Sequence, residues 1–168
     1  MTAPDRHPHP PPATLPITVR EGLDFGLDGD IPRHWFGGDP FKTRFFDAMS
    51  LLFPEGEKFF IQCVRDYRDG ITDPQMQADV KDFTRQEGQH GMVHDAYNRR
   101  VARQGVAVDH IEARMIGMLR FQRRHFSRKM TLAQTAAAEH MTAIMAHSFM
   151  ADREMFAPAD PRMRALYV

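Results

Sequence analysis

Between Asp73 and Gly105 the apolar residues recur at steps of three and four, and titratable side chains interrupt the stripe. It reads Met76, Val80, Phe83, Glu87, His90, His94, Tyr97, Val101. That period marks one face of an α-helix packed against neighbours. Asp73-Pro74 provides an N-cap and a proline at the first helical position, and Gly105 an exit. A fold that buries this stripe also buries Glu87, His90 and His94. Burying an ionised group is costly unless it is paired or bound to metal. The stripe therefore demands both a helical fold and a reason for three polar groups in its interior.

Two more segments repeat the plan. Phe46, Met49, Phe53, Phe60, Val64 and Tyr67 form a stripe with Glu57 where an apolar residue is expected. Pro54 is expected to kink this helix or start a new one, and Gly70 to end it. A shorter helix is expected around Ile111–Phe126, with Met115 and Met118 on one face. A last helix is expected from Lys129 to about Glu154. There Glu139 falls in step with Leu132, Thr135, Thr142 and Ala146, while His140, Ile144 and His147 define a competing face. The 12 Met and 13 Phe suit a helical interior.

Six of the twelve prolines lie in residues 1–16, which read as a disordered tail carrying His7 and His9. Residues 17–40 read as an irregular arm anchored by Trp35 and Phe36, and 41–168 as the helical metal-carboxylate domain. Lys plus Arg and Asp plus Glu are 22 each, so nothing marks a nucleic-acid or anionic-membrane surface. No apolar run approaches the roughly 20 residues of a membrane span. The lone Cys63 cannot form an internal disulfide; it reads as an inert buried thiol and suits a reducing cytoplasm.

Glu87 and His90 form a Glu-x-x-His pair on neighbouring turns of one face, a spacing that lets both reach one metal ion or a bridged pair. With Glu57 and Glu139 on other helices, the set follows the plan of di-metal carboxylate bundles. Glu55 and Glu112 read as solvated, and Arg65 and Arg85 as surface cations. Gly91 stands where a zincin's general-base Glu would follow the first His, which argues against that protease class.

The motifs Pro54-Glu55-Gly56-Glu57-Lys58-Phe59-Phe60, Val64-Arg65, Asp73-Pro74, Gln86-Glu87-Gly88-Gln89-His90 with His94 and Tyr97-Asn98, and Ala138-Glu139-His140-Met141-Thr142-Ala143 occur in that order. Together they resemble the bacterial family named predicted metal-dependent hydrolases. The resemblance implies a ferritin-like bundle with Glu57, Glu87, His90 and Glu139 as ligands, and His94 as a ligand or an outer partner. Members of that family continue into a further helix bearing a Trp-His-x-x-Glu-Glu-x-Glu-His-like motif. The sequence here ends Met163–Val168 about where that helix should begin. The resemblance thus implies an all-α, ferritin-like bundle lacking its final helix, either a truncated product or a short form that borrows ligands from another copy, as in a homodimer.

Three function classes follow. The first is a metal-dependent enzyme acting on a small molecule, either a hydrolase or a di-iron oxygenase or oxidase. The second is a non-catalytic metal-binding bundle. The third is a metal-free helical interaction domain. The ligand types suit Fe or Mn, with Zn also compatible, as one ion or two.

Overall fold

The computed structural model describes residues 17–152 and 154–168; the proline-rich stretch 1–16 lies outside the described residues. The described residues form six helices: α1 (Pro40–Ser50), α2 (Phe53–Arg65), α3 (Pro74–Arg103), α4 (Val108–His125), α5 (Arg128–Ala151) and α6 (Pro161–Tyr167). One 3₁₀ turn, Arg68–Gly70, joins α2 to α3. No strand occurs among the described residues, where an isolated bridge pairs Phe36 with Ala159. The all-α reading is borne out.

Side chains set most of the helix starts. Asp39 accepts from the backbone N–H groups of Phe41 and Lys42 at α1, Asp73 from Met76 at α3, Ser127 from Met130 at α5 and Asp160 from Arg162 at α6. Each capping oxygen satisfies donors that the first helical turn leaves free. Pro54 starts a new helix rather than kinking an old one. α1 stops at Ser50, and Pro54 takes an early position in α2, where its missing N–H costs nothing.

α2 and α3 make the most extensive helix pair, and α2 also packs against α4 and α5. The hydrophobic core lies at one end, where residues distant in sequence meet. Trp35, Phe36, Phe46, Phe156 and Met163 are each at most 2% exposed. Trp35 stacks on Tyr167 with ring centroids 5.9 Å apart, and Phe36 on Phe46 at 5.5 Å. Phe46 also meets Phe149 and Phe156. The irregular stretch before α1 is tied down by Arg100 of α3, which donates to the Pro32 carbonyl at 2.7 Å. Gly37 has φ +59°, and a Cβ there would fall 2.8 Å from Pro158 Cβ, so only glycine fits.

Asp47 of α1 links three elements. It accepts from Tyr97 Oη of α3 at 2.6 Å, from Trp35 Nε1 at 3.2 Å, and from Arg44. These donors offset the cost of burying its charge.

Some apolar expectations fail. Met76 is 54% exposed and Met118 48%. The first turn of α3 stands clear of its neighbours, so its stripe has nothing there to pack against. Tyr67 falls outside α2 and is 37% exposed. Helix α6 was not anticipated. At seven residues it is too short to form unaided, and Met163 and Tyr167 hold it to the core.

Phe46→Ala should lower unfolding free energy by about 3–5 kcal/mol, because it empties the centre of the aromatic cluster. Urea denaturation followed by circular dichroism measures this.

Candidate metal centre

Glu57 sits one turn into α2, on the face turned toward α3. Its side chain is 4% exposed. Gly91 of α3 lies opposite, where a Cβ would stand 3.7 Å from Glu57 Cβ. Across this close approach the Glu57 carboxyl reaches His90. His90 Nδ1 lies 2.8 Å from Glu57 Oε1 and 3.5 Å from Glu87 Oε2. One ligand atom from each of Glu57, Glu87 and His90 falls within 4.8 Å of the others.

The protonation pattern follows from crowding. Burial, joined by the neighbouring Glu87, pushes the Glu57 carboxyl up to about 8, against the pull of His90. Burial also opposes the charge on His90, but its bonds to Glu57 and Glu87 outweigh it and push the ring up to about 10. For Glu87 burial acts upward, yet the hydrogen bonds of His90 and Glu57 hold it below the usual range.

Glu139 reaches the region from α5. The competing face of that helix is settled by burial: Thr135 is buried and Glu139 half-buried, while His140, Ile144 and His147 are exposed. Glu139 shares a cleft of about 610 Å³ with His90 and His94. Burial first, then the charge of Glu87, pushes its carboxyl up to about 7. It stands outside the close group of three.

His94 is buried and uses both ring nitrogens. Its Nε2 lies 3.1 Å from His90 Nε2, and its Nδ1 lies 2.8 Å from Ser50 Oγ. Burial first, then the charge of His90, pushes its pKa down to about 3, so the ring is neutral. Ser50 and Asn98 were not singled out in the sequence as parts of the site. Asn98 appears there only in the Tyr97-Asn98 motif of the resemblance, four residues after His94 on the same face of α3, and Ser50 carries no signal.

These residues suit a divalent cation. Glu57 Oε2 and Glu139 Oε1 are buried without a hydrogen-bond partner. Buried carboxylate oxygens left unpaired are rare unless an ion or water completes them. Carboxylate oxygen with imidazole nitrogen is a donor set that Fe, Mn and Zn accept.

Glu55 and Glu112, expected to be solvated, are half-buried; Glu55 pairs with Lys58 at 2.6 Å, and exposed Arg85 pairs with Glu21. Cys63 is free and fully buried. No described helix is long and apolar enough to cross a membrane.

Among the described residues the fold is all-helical, with a Glu, Glu and His group that could hold a metal ion gathered between α2 and α3. The chain belongs to the family described as predicted metal-dependent hydrolase, whose profile matches residues 19–168. The resemblance carried by the motifs is thus borne out. No curated protein and no solved structure matches the chain.

Glu57 and His90 both have folded-state values above their ordinary 4.5 and 6.5. Each contributes stability that is full below its ordinary value and is lost as pH rises through about 8 and about 10, respectively. The metal-free protein should therefore lose thermal stability between pH 7 and 10, read as a falling Tm. Zinc binding at pH 7 should release about two protons per ion, from Glu57 and His90. Calorimetry in buffers of differing ionisation enthalpy counts them.

Gly91→Ala should be accommodated at ordinary contact distance and gain about 0.5–1 kcal/mol of helix stability. Gly91→Leu should displace Glu57 and weaken zinc binding. Denaturation and zinc titration of the two variants check this.

Proposed function

We propose that the protein is a metal-dependent hydrolase in which a divalent ion is held by Glu57, Glu87 and His90, with Glu139 completing the set from α5. The convergence of three ligand atoms within 4.8 Å, beside a buried carboxylate oxygen without a partner, carries this reading. Such an ion, when bound, polarises a substrate carbonyl and lowers the pKa of a water to about 7.

The chain's own residues supply the rest. Glu57 and Glu87 bring the negative charge that a cation requires, and burial strengthens that attraction. The cleft beside His90 and Glu139 is lined by Met49, Phe53, Val93, Met145 and Phe149. Its apolar walls suit a substrate with an apolar group next to the scissile bond.

A second reading is favoured by the helical layout. Glu57, the Glu87-x-x-His90 pair and Glu139 come from three helices, as in ferritin-like di-iron bundles. On that reading the centre holds two irons and consumes O₂.

One experiment separates the two. Chain loaded with Zn(II), Mn(II) or Fe(II) is offered p-nitrophenyl esters of increasing acyl length, while O₂ uptake is followed for the iron form. Hydrolysis that grows with acyl length, and falls at least about 100-fold in Glu87→Ala, supports the hydrolase. O₂ consumption without ester cleavage favours the di-iron reading. Metal content unchanged in both Glu57→Ala and Glu87→Ala would remove the centre altogether.

A further inference from the structure

Ser50, His94 and Asn98 form a buried chain of hydrogen bonds that ends on the outer nitrogen of His90, and its direction is fixed from the far end. Asn98 Nδ2 donates to the Ser50 carbonyl at 3.2 Å, which turns Asn98 Oδ1 toward the Ser50 hydroxyl at 2.8 Å. An amide oxygen only accepts, so the single hydroxyl proton goes to Asn98. Ser50 Oγ must then accept from His94 Nδ1, 2.8 Å away. A neutral imidazole carries one N–H, which leaves the lone pair of His94 on Nε2. His90 Nε2, at 3.1 Å, is therefore the donor of that pair.

We infer that the Asn98–Ser50–His94 relay fixes the tautomer of His90, holding a proton on Nε2 so that Nδ1 is the atom offered to the divalent cation. Nδ1 is the nitrogen that faces Glu57 and Glu87. Reversing the relay would place N–H on His94 Nε2. His90 would then turn its lone pair outward and carry its proton on Nδ1, where the cation must bind. Phe53 packs on both rings, with centroids 5.1 Å from His90 and 4.5 Å from His94, which restrains either ring from turning over. His94 is on this account a positioning residue and not a ligand. An outer partner of this kind typically contributes 10–100-fold in metal affinity.

The inference rests on the metal centre proposed above, and its test separates the two. Full-length chain labelled with ¹⁵N-histidine is examined by long-range ¹H–¹⁵N spectra, without metal and with Zn(II). His94 should show a protonated Nδ1 and a bare Nε2. Zinc-loaded His90 should keep its Nε2 proton and coordinate through Nδ1. In zinc titrations Ser50→Ala and His94→Leu should bind roughly 10-fold more weakly or worse. His94→Gln, whose amide oxygen still accepts from His90, should retain most of the affinity. A proton on His94 Nε2, coordination through His90 Nε2, or wild-type affinity in Ser50→Ala would overturn the relay. Should the variants not fold, the wild-type spectra decide alone. Zinc bound by a wild-type chain with His94 reversed overturns only the relay, whereas a wild-type chain that binds no zinc overturns the centre itself.

Discussion

The contact between Glu57 and His90 governs how α2 and α3 can meet. A carboxyl group buried between helices needs a partner at hydrogen-bond distance, or its desolvation opposes folding. His90 supplies one at 2.8 Å, and Gly91 leaves room for it. Glu87, one turn earlier, adds a second acid to the same point. The result is a site that holds protons tightly when no cation is present.

A second buried acid supports the first site from a distance. Asp47 and Ser50 lie one turn apart on α1. Trp35 and Tyr97 hold Asp47, so the residues before α1 and the helix α3 both clamp α1 in place. That clamp brings Ser50 against His94 and Asn98. The irregular N-terminal stretch therefore supports the site through α1, and its Arg20, Leu23 and Phe25 also line the cleft beside His90 directly.

The helices were legible because their stripes and caps are local signals. Asp73-Pro74, Gly105 and the three-four spacing depend on neighbours in sequence, and so they reported α3 to within a turn. The interior acids were legible for the same reason, since Glu57, Glu87 and Glu139 each interrupt an apolar stripe. Which face of α5 turns inward was not, because Glu139 and the His140, Ile144, His147 set are equally periodic. Burial of Thr135, with His140, Ile144 and His147 exposed, decides it. Met76 and Met118 misled because a stripe states what a helix can bury and not how far its neighbours extend. Ser50 and Asp47 carry no local mark; their partners on α3 lie 44 to 50 residues away.

The aromatic core also sets an order of assembly. Trp35 stacks on Tyr167, Tyr167 reaches the Phe46 carbonyl, and the Asp160 amide bonds to the Trp35 carbonyl. These contacts span more than a hundred residues, and such loops close slowly. On the ribosome, α2 and α3 emerge while the residues that complete this core have not been made. The nascent helices can pair through Glu57 and His90, but Trp35, Phe36 and Phe46 stay without their last neighbours until α6 arrives. During that interval their apolar faces are what a chaperone would meet.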